Sequence, residues 1–371
     1  MALAEARDLA VRNGGASERF ASYYGQWTNH ISRDEMRLAR EVAEAFLADA
    51  DSESDDEGRS VAESMLGVIH YFTGHFAMAR DVLELATRPR HVRPDAERRF
   101  QFGVDIDIGA TVYLGLVLWI LGDFERSKAT LEDADRRAVE LGHKPTLANA
   151  RHFANIVLAY RGDSAALLPL VERQVQLCRE HGMAFYLVLS EIYFGWAYAN
   201  AVDPEAGLAR IRTAIEESRA MGLSTAMSFL RSLLAHAEMA AKHEEQAVFE
   251  IDAAIAIAQR GEAHCDDSPA HRIRGEILLR CNPPNLSEAA KAFSTACHIA
   301  EEQGARGFRL LAALPLAKLC YSSARFAEAK TVLASALEGL TPTPEMPEIA
   351  AALALLSAID ERAETQPCRS D

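Results

Sequence analysis

The sequence is poor in several things that would narrow its function. Its six cysteines, Cys178, Cys265, Cys281, Cys297, Cys320 and Cys368, stand singly without a C-x-x-C pair. No disulfide framework or zinc knuckle is therefore written in the chain, and the thiols read as reduced, most of them small buried hydrophobes. Aromatic residues make up only 7%. Positive charge is also short: 39 Lys and Arg face 54 Asp and Glu, for a formal net charge of −15 and a pI near 5.3. That balance argues against sequence-independent nucleic-acid binding, which needs a basic surface to displace condensed counterions. The longest strongly apolar run, TVYLGLVLWIL at 111 to 121, is too short to cross a bilayer, and the N-terminal MALAEARDLAVRNGG has no apolar centre of the secretory kind. A cytoplasmic location without a membrane partner is the expectation. Catalytic signatures are missing too: there is no G-x-x-x-x-G-K-[ST], no G-x-S-x-G and no H-E-x-x-H. No enzyme activity, cofactor or metal is expected of this chain on its own.

What is present is repetition. GHFAMARDVLELA at 74 to 86, GDFERSKATLEDA at 122 to 134 and ARFAEAKTVLASA at 324 to 336 share one outline. Seven residues before each turn lies a position that is almost always small: Gly67 before Gly74, Gly115 before Gly122, Asn155 before Gly162, Gly195 before Val202, Ala235 before Lys242, Gly275 before Asn282 and Ala317 before Ala324. These positions step by 48, 40, 40, 40, 40 and 42 residues, a period of about 40. Behind each turn runs a second small stripe, spaced by seven: Ala79 and Ala86, Ser127 and Ala134, Gly207 and Ala214, Ala247 and Ala254, Ala289 and Ala296, Ala329 and Ala336. One unit breaks it with Leu167 and Gln174.

Small residues on both helices of a pair let the two cross closely while larger neighbours fill ridges and grooves. A lone pair leaves an apolar face open, so pairs must stack. The predicted fold is all-α: a right-handed, tetratricopeptide-like solenoid of helical pairs, longer in period than the usual 34 or so residues. Asp123, Asp163, Asp203 and either Asn285 or Ser287 stand where N-caps are wanted, Pro204 suits a first helical turn, and Gly142, Gly182, Gly222, Gly261 and Gly304 are placed to stop second helices. The first full pair reads as starting at 16, with Gly25 seven before Ser32. The predicted organisation is a half repeat at 1–15, about eight helical pairs plus a closing helix over 16–363, and a tail at 364–371. An array that opens on a half unit presents an uncapped edge, an invitation to self-association.

Four stretches are candidates for chemistry. The inserted loop at 88 to 109 carries Arg88, Arg90, Arg93, Arg98 and Arg99 on an acidic background; it could hold an anion or an acidic partner, or be a solvated linker. Trp27, Trp119 and Trp196 fall on first helices, the inner wall of such a superhelix, where they could meet a bound peptide or small effector or simply pack between pairs. DADSESDDEG at 49 to 58 has Ser54 and Ser60 where a calcium loop needs Gly and Glu. His264, Cys265, Asp266, Asp267 and His271 cluster without a recognised zinc spacing.

Beyond the generic repeat, HRIRGEILLR at 271 to 280 and LSEAAKAFSTACHIAEEQGARGFRLLAALPLAKLCYSSARFAEAKTVLASALEGL at 286 to 340 resemble the closing repeats of large bacterial signalling proteins. Those proteins join a class III adenylate/guanylate cyclase domain, a STAND-type ATPase and a C-terminal tetratricopeptide region. LGVIHYFTGHFAMARDVLE at 66 to 84, LVLWILGDFERSKATLEDADRRAVELGH at 116 to 143 and FGVDIDIG at 102 to 109 are similar to upstream parts of that region, and the style also occurs in LuxR-type ATP-dependent regulators. The resemblance implies a sensing or protein-docking arm that regulates an attached or partner ATPase or cyclase. Neither a cyclase metal-binding aspartate pair nor a phosphate loop can be placed here, so no catalytic role is carried over. The resemblance leaves two expectations, a free-standing interaction module or the separated C-terminal piece of a longer enzyme.

Overall fold

The computed structural model describes residues 16–88, 100 and 103–365. Among the described residues there are seventeen helices and no strands. They run as antiparallel pairs: α1 Ala16–Ser32 with α2 Met36–Glu53, α3 Asp56–Phe72 with α4 Phe76–Ala86, α5 Ile106–Leu121 with α6 Phe124–Leu141, α7 Lys144–Arg161 with α8 Ser164–Glu180. The series continues with α9 Ala184–Ala201 and α10 Pro204–Ala220, α11 Met227–Ala240 and α12 Glu244–Arg260, α13 Asp267–Arg280 and α14 Leu286–Glu302, α15 Arg306–Ser322 and α16 Phe326–Leu337, and ends on α17 Glu348–Thr365. The all-α, tetratricopeptide-like fold is thus observed. Residues 1–15 and 366–371, with the half repeat and most of the tail, lie outside the described residues. No helix among the described residues is long and apolar enough to cross a membrane.

The small positions mark the crossings. A Cβ added to Gly67 would lie 2.6 Å from Leu83, one on Gly115 2.7 Å from Leu131, and one on Gly275 2.6 Å from Phe293. At Gly195 the neighbours are backbone: Ile211 N at 2.7 Å and Gly207 O at 2.9 Å, while Gly207 in turn faces Ala199 N at 2.3 Å. The stripe residues Ala79, Ala86, Ser127, Ala134, Ala247, Ala254, Ala289, Ala296, Ala329 and Ala336 are all buried. Ser127 adds a bond, its Oγ donating to Gly115 O at 2.7 Å. Where the stripe breaks, the buried Gln174 donates Nε2 to Ala148 O at 2.8 Å, which meets half of its polarity inside the crossing.

Three turn readings need correction. In the first pair the left-handed turn residue is Asp34, at φ 64°, rather than Ser32, and Gly25 has no neighbour within 4 Å of its Cβ position. Counting back seven from Asp34 reaches Trp27, which is buried in one cluster with Ala39 and Ala43, so bulk on the first helix is offset by small residues on the second. Gly261 is extended, at φ −83° and ψ 179°, unlike Gly142, Gly182, Gly222 and Gly304, which stop helices with positive φ. Asp163, Asp203 and Asn285 accept N-cap bonds, whereas Asp123 makes none.

Gly261 is needed for a different reason: its Cβ would fall 2.0 Å from Asp34 Oδ2. The superhelix winds tightly enough for later repeats to touch earlier ones. Glu262 N donates to Asp34 Oδ2 at 3.2 Å and Arg37 N to Glu262 Oε2 at 2.7 Å. Ser224 N donates to Ser32 O at 2.9 Å, and His264 N and Cys265 N both donate to Phe72 O at 2.7 and 3.0 Å. On the other side Phe308 of α15 sits among Phe76, Trp119 and Tyr160, with ring centroids 6.3, 5.8 and 4.9 Å away. The central space of the coil is therefore largely filled by its own helices.

Candidate functional site: an aromatic interior cavity

Inside the coil lie two adjoining cavities of about 220 Å³ and about 360 Å³, each far larger than the roughly 10–15 Å³ that admits one water. They share Thr28 and Ile31 of α1, Tyr113 of α5 and Phe185 of α9. The shared wall reaches the surface, since Thr28 is exposed and Phe185 is 46% exposed. The walls come from alternate helices because the first helix of each pair faces inward and brings its apolar face with it. The smaller cavity is bounded by Tyr71 and Phe72 of α3, Phe153 and Tyr160 of α7, Tyr193 of α9 and Phe229 of α11. A chain with few aromatics has spent many of them here.

Two tyrosines of the smaller cavity and its one carboxyl form a hydrogen-bonded chain, backed by residues behind the wall. Tyr160 donates its hydroxyl hydrogen to Asp266 Oδ1 at 2.6 Å. Tyr71 Oη lies 3.1 Å from Tyr160 Oη; with Tyr160's hydrogen committed, Tyr71 is the donor of that bond. Cys265 Sγ donates to Asp266 Oδ2 at 3.3 Å, and Arg272 donates to the Tyr160 carbonyl at 3.0 Å. Asp266 is 8% exposed. Burial pushes its carboxyl up to about 6, against the lowering pull of Tyr160 and Cys265. Burial likewise raises the phenols of Tyr71 and Tyr160 well above their usual range and lowers the His152 imidazole to about 4. Behind this wall Glu276 is held down to about 2: burial works to raise it, but Arg272 and His236 beside it prevail. Neither cavity has a Lys or Arg among its described lining residues.

Of the residues singled out in the sequence, Trp27 lines the larger cavity. Trp119 and Trp196 do not line either one; at 2% and 1% exposed they are packing residues, Trp119 against Phe124, Tyr160 and Phe308. Arg93, Arg98 and Arg99 lie outside the described residues. Among the described residues no group of His, Cys, Asp and Glu could hold a metal. The stretch 264–267 instead makes the seam: its backbone binds Phe72 and its Asp266 enters the cavity. In 49–58, Asp55 caps α3 and Ser54 closes α2. Sequence reasoning passed over Tyr71, Tyr113 and Tyr160, and weighed Asp266 only as part of a metal cluster. The signal was available as aromatics recurring on first helices, although Asp266 could not have been joined to them.

No protein-family model matches the chain. A protein of Rhizobium meliloti (strain 1021), described as uncharacterized, is 22% identical over 292 residues, covering 78% of this chain and 28% of its own length. The chain thus spans little more than a quarter of that relative. Among solved structures, a Rap protein complexed with competence and sporulation factor aligns with a TM-score of 0.57 at 14% identity, over 94% of this chain and all of that one. The Rap conjugation gene regulator of plasmid pLS20, in complex with the Phr* peptide, aligns with a TM-score of 0.53 at 10% identity, over 95% and 98%. At such identities the likeness is one of fold.

Proposed function

We propose that this chain is a tetratricopeptide-type interaction and sensor module that carries no catalysis of its own and relays occupancy of its interior cavity to a signalling ATPase or cyclase. The observation that carries the reading is the origin of the cavity walls. They are drawn from α1 through α11 and from the turn before α13, so an occupant bridges repeats that are distant in sequence. A ligand preferring the closed coil would stabilise the seam at Asp34, Ser224 and Glu262, and the outer faces of the second helices would move with it. Two Rap-type neighbours of the same fold were solved with competence and sporulation factor and with the Phr* peptide, which supports a ligand-binding role here. The link to an ATPase or cyclase rests on the resemblance of the repeats to those of cyclase and STAND proteins. A second reading, in which these repeats are one arm of a longer enzyme, is favoured by the rhizobial relative, most of whose length lies outside the match.

Immunoprecipitation of the native protein from its cells of origin, followed by ATPase and nucleotide-cyclase assays on the precipitate, tests the link. Activity that co-precipitates and responds to salt washing supports a partnered module. A band on the immunoblot several times the 40.7 kDa of this chain supports the second reading. A precipitate with neither activity refutes the signalling assignment.

A further inference from the structure

We infer that the smaller cavity binds a small organic ammonium ion, its apolar part held among the aromatic rings and its positive charge set against Asp266. The inference rests on the cavity being an effector site and names the ligand's chemistry.

A buried carboxylate is expensive unless a positive charge or a set of donors compensates it. Asp266 has two side-chain donors, the Tyr160 hydroxyl and the Cys265 thiol, and both are neutral. Arg272, which reaches the Tyr160 carbonyl, pairs with Glu276 rather than with Asp266. The neighbouring carboxylate, Asp267, adds negative charge and pairs only with His264 at 3.0 Å. The cavity therefore holds one uncompensated anionic group and, among the described lining residues, no cationic one besides the largely neutral His152.

The rest of the wall suits the same ion. Tyr71, Tyr113, Tyr160, Tyr193, Phe153 and Phe229 line it with aromatic rings, and ring faces attract an organic cation through their quadrupoles most strongly where water is excluded. An anionic ligand would meet no donor cation, and a strongly hydrated inorganic cation would find too few oxygens. Thr28, Ser32 and Thr225, toward the open end, can solvate a polar end of the ligand that remains in water.

The groups facing Asp266 are Tyr71 from α3, Tyr160 and His152 from α7, Tyr193 from α9, Arg272 from α13, and Cys265, Asp267 and His264 from its own turn. The phenols stay neutral below pH 8 and His152 is held near 4. Between pH 7 and 5 the carboxyl that changes charge at the cavity is Asp266; His264, raised by its hydrogen bond to Asp267, gains positive charge on the same turn but does not line the cavity.

The test is calorimetric titration of the full chain with three soluble aromatic probes: benzyltrimethylammonium, 2-phenylethanol as the neutral probe and phenylacetate as the anion. The expected result is binding of the ammonium about tenfold or more tighter than the alcohol, with no phenylacetate binding. Asp266→Asn should remove that preference and leave the alcohol unchanged. Should that variant not fold, the wild-type protein still decides the matter. Benzyltrimethylammonium does not titrate, so its affinity should fall as pH drops from 7 to 5 while that of the alcohol holds. Equal affinity for ammonium and alcohol overturns the cation assignment and leaves the cavity an effector site. No probe binding at millimolar concentration overturns both.

Discussion

Adding a single methyl group at Gly195 should separate the two helices of the α9/α10 pair, and the cost can be set against built-in controls. Gly195 Cβ would meet Ile211 N at 2.7 Å and Gly207 O at 2.9 Å, and backbone atoms cannot rotate away. In a helix interior, Gly→Ala by itself gains about 1 kcal/mol, while overpacking of a fixed core costs roughly 1–3 kcal/mol. Because the obstacle is backbone, the upper part of that range applies, about 2–3 kcal/mol, and Gly195→Ala should be destabilising by about 1–2 kcal/mol net. At Gly115 the obstacle is the Leu131 side chain at 2.7 Å, which can shift rotamer, so Gly115→Ala should fall within about 1 kcal/mol of wild type. Gly25 has open space among the described residues where its Cβ would be, and Gly25→Ala should stabilise by up to about 1 kcal/mol. Urea unfolding followed by circular dichroism gives the three midpoints, compared at constant slope. The order Gly25→Ala, Gly115→Ala, Gly195→Ala from most to least stable is required. A Gly195→Ala protein as stable as wild type would refute close backbone approach as the reason for the small-residue repeat.

Gly261→Ala should weaken the seam, because its methyl would press on the Asp34 carboxylate; faster hydrogen exchange at the Glu262 and Ser224 amides is expected, and Asp34→Ala should remove most of the effect. Tyr160→Phe deprives Asp266 of its 2.6 Å donor and should cost about 1–3 kcal/mol at pH 7, with the loss shrinking below pH 6 as the carboxyl protonates. Asp266 is raised to about 6 in the folded protein from 3.8, so it favours folding at low pH and that contribution is lost as pH rises through about 6. Asp266→Asn should accordingly stabilise at pH 7 relative to pH 4.5, measured by parallel urea titrations; an unchanged pH profile would contradict the buried carboxylate. His70 and His152, both lowered by burial to about 4, act oppositely: their contribution is present above about 6.5 and lost as pH falls toward 4. His152→Phe should therefore blunt acid unfolding in that window.

Much of the pair architecture was legible because close helix crossing demands small side chains, and Gly115, Gly195 and Gly275, set at multiples of 40 residues with Gly67 another 48 before them, repeat that demand. A further regularity lay unread. Leu83, Leu131, Val171, Ile211, Ile251 and Leu333 all stand nine residues past their turns, and Leu83, Leu131 and Ile211 contact the small position. Gly261 shows where reading by type misleads. It resembles a helix stop, yet the constraint on it is the approach of Asp34 from the opposite end of the coil.

The sequence by itself determined the helices, their pairing, and the small-against-large complementarity at each crossing, since these depend on residues within about 40 positions of one another and on local helix physics. Only the tertiary structure decided that the coil closes on itself, that Trp119 and Trp196 are buried away from the cavity that Tyr160 lines, and that Asp266 reaches that aromatic cavity. Those outcomes follow from the small rotation between successive pairs, which accumulates over the whole array. A rotation of that kind is set by the packing of every crossing together, and no single stretch of residues spells it out.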